Sequence, residues 1–499
     1  MPVRAIWRPP WYAWALLGLV GLGLTYKFFP SRLQGHWLIV TPVAILVGVL
    51  ATRRLWELPP AVTMCVAIAL SIFSGGWGQI GLSGIPLNRL FIVLALLQVF
   101  LRAPGTAHMP RVQIRNVHLL MCFTVMYVFA SAATSGTLTS KASLLSLFDV
   151  FGIAPFLMFL VAPSVFSGQR ERNLLLTTLV GIGIYLGITA IFEILGPHGL
   201  VVPSYITAND VIRPGVLRAG GPFQSPVANG FATFACSVAA LMAFLQWRQQ
   251  RKRYIALAAG TVSAFGCFLT LERGVWIAAT AAIAVTALGT RTGRRWLVPG
   301  FLVCALAIGG ALFMSSALAH KTSQRANAQE SVWDRQNQTS AGLRMVADKP
   351  LLGVGWDRYE ARGLDYFRQP ADYPMTGYTS VVTIGTPAPI LPLHNTYLAY
   401  AVELGLLGAV LWLASLGWAI GIAALGKGPS ALRPWKLGLL AIAAFFLVVG
   451  LFDPHKQPFP MVLLMTWAGI ALGSKPLSAH ARNKNTSEWN NLGVSSIAT

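Results

Sequence analysis

Apolar runs of about twenty residues recur along this chain, each closed by a short polar, basic or glycine- and proline-bearing break. A helix of that length spans the roughly 30 Å hydrocarbon core of a bilayer, and within lipid only a helix satisfies every backbone donor and acceptor inside one segment. The repetition therefore restricts the chain to an all-α fold, a polytopic transmembrane helical bundle. Composition agrees: 499 residues that are 55% apolar and only 11% charged, with mean hydropathy +0.61, leave too little polar surface for a soluble protein.

The breaks place candidate helices near 11–28, 37–51, 60–75, 85–101, 116–133, 145–166, 174–195, 227–246, 254–271, 274–290, 296–318, 395–424, 435–452 and 459–473. Several are short, so about 12 to 14 spans are expected. The first, flanked by Arg4 and Arg8, lacks a small-residue cleavage signal and runs on into the second, so it reads as a retained helix. The expected organisation is an N-terminal helical part (1–173), a second helical part with outer arginine-bearing loops (174–318), one long polar loop (319–393), C-terminal helices (394–473) and a polar tail (474–499) with the composition of a disordered segment.

Charge orients the bundle. With the N-terminus inside, the short cytoplasmic breaks hold Arg53 and Arg54, Arg102, Arg111 and Arg115, Arg170 and Arg172, Arg248 to Arg253, Arg291 to Arg295, and Lys427 to Lys436, which with the basic termini is most of the 38 lysines and arginines. Both termini are thus expected in the cytoplasm and the long loop outside it. The formal charge of +22 is a topology signal, and no basic face with interleaved aromatics stands apart from it, so nucleic acid is not an expected partner. Cys65, Cys122, Cys236, Cys267 and Cys304 all fall in apolar runs, and no Cys or His cluster has metal-ligand spacing, so neither a disulfide framework nor a metal site is expected.

The outer polar segments are where chemistry can reside. Leu393-His394-Asn395-Thr396-Tyr397-Leu398, running on to Glu403-Leu404-Gly405-Leu406-Leu407-Gly408, stands where the long loop re-enters the membrane; an unsatisfied histidine is costly in hydrocarbon, so His394 and Asn395 mark a polar site at the mouth of the bundle. Asn395 has the chemistry to cap the helix that Thr396 begins, Glu403 to satisfy polar groups inside the bundle, and Gly405 and Gly408 to permit close helix packing. Upstream, Arg213 and Arg218 flank a turn rich in glycine and proline that ends Gly220-Gly221-Pro222-Phe223, whose backbone can approach a ligand closely. Leu271-Glu272-Arg273-Gly274 is a charged break in which Arg273 either reaches into a cavity or snorkels beside Glu272. In the long loop, 340–349 reads as a short amphipathic helix carrying Arg344, stopped by Pro350 and followed by the turn Leu351-Leu352-Gly353-Val354-Gly355. Trp333, Tyr359, Phe367, Tyr373 and Tyr378 fit two readings, sugar-stacking faces or core and interfacial anchors.

Taken in order, an arginine before Gly-Pro-Phe-x-x-Pro-x-x-Asn, an Arg-Gly break, Met-x-x-Asp-x-Pro-Leu-x-Gly-x-Gly, and His-Asn-x-Tyr-Leu with Glu-x-Gly-x-x-Gly resemble the O-antigen ligase superfamily over roughly residues 174–452. That superfamily includes lipid-linked polysaccharide polymerases and bacterial O-oligosaccharyltransferases. Glu272 departs from the pattern, which has a small hydroxyl residue before the Arg-Gly pair. The resemblance implies a bacterial inner-membrane glycosyltransferase. Its donor would be a glycan on undecaprenyl diphosphate and its acceptor a hydroxyl of lipid A core or of a second lipid-linked glycan, with membrane lipids around it and no cofactor.

Transfer from such a donor develops negative charge on the leaving diphosphate, which needs a divalent metal or fixed cations. The chain has no Asp-x-Asp pair but does have outer arginines, so Arg218 and Arg273 are the first candidates to clamp the diphosphate, with Arg213 and Arg344 second. His394 would act as base for the acceptor hydroxyl or as donor to the diphosphate, with Asn395, Tyr397 and Glu403 around the substrate. A flippase or exporter of lipid-linked glycans is the rival from another class; it would show repeats and charges lining a central cavity, whereas no repeat is evident and the intramembrane ionisable residues are chiefly Arg89, Asp149 and Glu193. A non-enzymatic scaffold would not call for arginines and a histidine on one face. Ligase and polymerase share a donor and differ in acceptor, for which the sequence holds no readable code.

Overall fold

A computed structural model describes residues 54–77, 86–101, 112–208, 218–289, scattered positions between 291 and 323, 330–367, 393–454 and 456–473. The expected helices at 11–28 and 37–51, most of 296–318, Arg213, Cys304, Tyr373, Tyr378 and the C-terminal tail lie outside the described residues. Among those described, all regular structure is helical. The main helices are α1 (Pro60–Leu70), α2 (Leu87–Leu101), α3 (Asn116–Thr134), α4 (Ile153–Val165), α5 (Gln169–Leu195), α6 (Pro226–Gln246), α7 (Gln250–Leu269), α8 (Arg273–Gly289), α9 (Glu330–Asp348), α10 (Thr396–Leu425), α11 (Arg433–Val449) and α12 (Pro458–Leu472). Six helical segments among the described residues, Asn116–Thr134, Lys141–Val165, Gln169–Leu195, Pro226–Gln246, Thr396–Leu425 and Ser430–Val449, are long and apolar enough to cross a bilayer, and Pro60–Phe73, Leu87–Leu101, Arg273–Gly289 and Pro458–Leu472 are shorter apolar helices.

α12 is the centre of the bundle. Every residue from Pro458 to Ala471 is buried, as expected for a helix that is apolar on all sides. It packs on α4 and α11. Trp467 donates from its indole to the Trp435 carbonyl of α11 at 2.9 Å, so a large ring is buried without an orphaned donor. α3 lies against α10, where the hydroxyls of Thr124 and Ser415 meet at 2.8 Å. The approach to α4 is irregular: a π-helical turn, Leu147–Phe151, leads into Gly152, and the indole of Trp412 on α10 donates to the Phe151 carbonyl at 3.2 Å. Asp149 in that turn is fully buried and takes the Arg89 guanidinium of α2 at 2.5 Å.

Alternating helix direction gathers one set of termini at one end of the bundle, called here the polar end. There the Thr396 amide donates to the Gly450 carbonyl at 2.8 Å, linking the start of α10 to the end of α11. Ser74, after α1, donates to Gln457 before α12 at 2.8 Å, and Gln457 donates to the Phe223 carbonyl before α6 at 3.3 Å. The basic turns at Arg251–Lys252 and Lys427–Arg433 lie exposed at the other end. The loop helix α9 starts about ten residues before the expected position: Glu330 to Gln338 is polar enough to read as loop, yet continues the helix on which Met345 is buried. It ends before Pro350, as proline dictates.

Candidate active site

The segment Pro350–Gly355 of the long loop is seated in a break of α10. Gly405 has φ 68° and ψ 176°, a conformation restricted to glycine, and it interrupts the helix from within. The break frees backbone groups that the loop satisfies: the Val354 amide donates to Val402 O and the Gly355 amide to Glu403 O, each at 2.9 Å, while Leu406 donates to Pro350 O at 2.8 Å. Tyr127 of α3 donates to Leu404 O at 2.8 Å. Gly353, also at positive φ (70°), completes the fit, since a Cβ there would lie 2.4 Å from the Gly405 nitrogen. The close approach expected at Gly405 is thus made to a loop; Gly408 faces the ring of Tyr127 on α3. The Glu403 carboxylate lies near the backbone amides of Asp357 and Tyr359. Farther along, the Trp356 amide donates to Ser131 Oγ at 3.2 Å, and Arg358 Nε to Ser135 O at 3.0 Å. Tyr359 is buried with Met345, Val354, Leu393 and Val402, a core role; Trp333 and Phe367 are half-buried. Burial and the nearby Glu360 and Glu403 carboxylates push its phenol above the ordinary tyrosine value.

The glycine-proline turn is held as firmly. Glu193, at the end of α5, accepts the amides of Gly220 at 2.9 Å and Gly221 at 3.1 Å. Asn229 of α6 donates to Ala219 O at 2.9 Å, and Ser225 caps α6 ahead of Pro226 at its first position. The intramembrane charges picked out in the sequence are therefore engaged on the protein: Arg89 with Asp149, and Glu193 with backbone.

These anchors bring charges from three segments together at the polar end. Glu272, only 4% exposed at the entry to α8, takes Arg218 Nη1 on Oε2 at 2.6 Å and Arg335 Nη2, from α9, on Oε1 at 2.7 Å. Burial by itself pushes its carboxyl up, but the two guanidiniums, Arg218 foremost, outweigh burial and hold it below the usual carboxylate range. Asp453, in the turn after α11, is pushed up to about 7 by burial and by the Glu272 charge. Arg273 is half-buried at the first position of α8.

His394 stands near Glu272. Its Nδ1 lies 2.7 Å from Gln338 Oε1, and its own amide donates to the same atom at 3.3 Å. An amide N–H requires an acceptor, which assigns that atom as oxygen; Nδ1 then donates to it, and the neutral ring carries its lone pair on Nε2. That is the tautomer of a base. Gln338 is 2% exposed, one turn along α9 from Arg335, so one helix face presents both.

The other expected site residues are committed to the protein in part. Asn395 Oδ1 accepts the amides of Tyr397 and Leu398, both at 3.0 Å, and so caps α10. Tyr397 donates its hydroxyl to Leu447 O of α11 at 2.6 Å, and Arg344 donates to Tyr366 O at 2.8 Å. Sequence reasoning missed Arg335, Gln338 and Asp453. The i, i+3 spacing of Arg335 and Gln338 was the available signal, hidden by starting the loop helix at 340. Among the described residues no group of three or more His, Cys, Asp or Glu converges as metal ligands. An apolar cavity of about 480 Å³ lies beside α6, α7 and α8, reaching Trp276 one turn below Arg273.

Residues 258–413 match a protein-family model described as O-Antigen ligase. That segment contains Glu272, Arg273, Arg335, Gln338, His394 and the α10 break, while Arg218 lies outside it. No curated protein sequence matches the chain. Over residues 258–413 the chain is thus similar to the O-antigen ligase family, within an all-helical fold whose apolar helices point to a membrane protein.

Proposed function

We propose, from this superfamily relationship and the cluster at the polar end, that the protein is a glycosyltransferase. It moves a glycan from undecaprenyl diphosphate to a hydroxyl on the periplasmic side of the bacterial inner membrane. The observation that carries the reading is the convergence of Arg218 and Arg335 on buried Glu272 beside His394, whose ring is hydrogen-bonded to Gln338. Arg218, Arg335 and Arg273 hold the diphosphate oxygens, since a guanidinium fork matches phosphate geometry and stabilises charge on the leaving oxygen. His394 Nε2 takes the acceptor proton as the acceptor oxygen bonds to the anomeric carbon and the bond to the diphosphate oxygen breaks; the proton stays on the imidazole and the electron pair leaves with the lipid diphosphate. The apolar cavity below Trp276 accommodates part of the lipid tail. The acceptor, lipid A core for a ligase or a lipid-linked glycan for a polymerase, enters from the side of the long loop. Engagement of Arg89, Asp149 and Glu193 within the fold supports transfer over transport.

Three experiments test this. Arg218→Lys and Arg335→Lys keep charge but lose bidentate geometry, and each is expected to lower transfer at least ~10-fold with unchanged expression. Transfer should persist in EDTA; loss on chelation with rescue by magnesium or manganese overturns the arginine-only clamp. The sidedness is tested with Thr339→Cys on α9 and Gln249→Cys at the basic end, both exposed positions, in a background without native cysteines. An impermeant thiol reagent should label the first in intact cells and not the second, and the reverse pattern places the reaction on the wrong side.

A further inference from the structure

Glu272 has a geometry that a plain anchor does not require. Its two oxygens are divided between guanidiniums from segments far apart in sequence, 218 and 335, and the carboxylate is almost completely buried. The donors it occupies are of the kind the proposed reaction offers to phosphate oxygens. A second acid, Asp453, stands close enough to feel its charge.

We infer that Glu272 is an internal counter-anion that competes with the diphosphate for Arg218 and Arg335. It holds the guanidiniums together between turnovers and shortens the stay of the lipid diphosphate product. The inference rests on the diphosphate site proposed above. Two guanidiniums held at one point repel each other, and a buried carboxylate between them removes that repulsion without reaching in from solvent at each cycle. The same negative charge disfavours an incoming dianion. A clamp of bare arginines would hold the product as tightly as the donor, because both carry the diphosphate; a fixed carboxylate lowers affinity for both and speeds release.

The test uses the full-length protein in detergent with farnesyl diphosphate as probe, its binding measured by calorimetry. Glu272→Gln keeps the size and removes the charge, and is expected to bind the probe ~10-fold more tightly than the parent, with turnover lowered by retained product. Glu272→Asp keeps the charge but shortens the bridge, and affinity within about threefold of the parent is expected. A purely structural anchor makes the opposite forecast, weaker binding in both variants. Weaker or unchanged binding in Glu272→Gln overturns the inference; should that variant not fold, a tenfold loss of affinity in Glu272→Asp overturns it equally. Arg218→Gln and Arg335→Gln separate the two readings. If they abolish probe binding while Glu272→Gln fails to tighten it, the diphosphate site stands and the counter-anion falls; if neither affects it, the site itself is wrong and the inference falls with it.

Discussion

Replacing Gly405 with alanine is expected to remove transfer and to destabilise the folded protein by roughly 3 kcal/mol or more. A Cβ at that position would lie 2.1 Å from the Leu351 carbonyl oxygen and 2.5 Å from the Leu352 nitrogen, both backbone, so the clash has no flexible side chain to absorb it. The backbone conformation is itself one that residues other than glycine avoid. Relief requires the loop to leave α10, which strands the carbonyls of Val402 and Glu403 in a buried setting and releases α9 with Arg335 and Gln338. Thermal melting in detergent and a transfer assay check this, with Leu407→Ala as the control, since Leu407 is 47% exposed two residues away. A Gly405→Ala protein that melts within about 2 °C of the parent would show that the loop is not locked there.

The second large effect is at His394. Alanine there should lower transfer ~10²-fold or more while melting stays near that of the parent, because a residue at the mouth of the bundle contributes little packing. Glutamine separates the two roles: its amide can donate to the diphosphate but cannot take a proton at neutral pH. If the glutamine variant is as impaired as the alanine variant, His394 is the base. Near-normal transfer by glutamine leaves it as a donor only, and near-normal transfer by alanine removes it from the reaction.

Several helical segments were legible because a residue with a physical reason to be there bounds them: Pro226 behind Ser225, Asn395 before Thr396, Pro350 after Asp348. The polar site was legible as types of residue at the outer breaks, since arginine and histidine at a membrane boundary are expensive unless used. What could not be read was pairing. Nothing at Glu272 indicates that its partners lie 54 residues upstream and 63 downstream, and no local pattern tells a glycine that lets two helices touch from one that lets a loop enter a helix. Arg335 was lost because a polar helix has no apolar stripe to announce its first turns.

The seating of the loop bears on how this protein could be divided or recombined. The segment with family similarity, 258–413, supplies most of the cluster, yet it is held in shape from outside. Tyr127 closes the broken helix, Ser131 and Ser135 receive the loop, Arg218 completes the ion pairs on Glu272, and Gly450 and Asp453 take the amide and hydroxyl of Thr396. The matched region is therefore held in place by residues on both sides of it. A chimera that exchanged 258–413 alone would carry over most of the cluster and leave behind the residues that hold it in position.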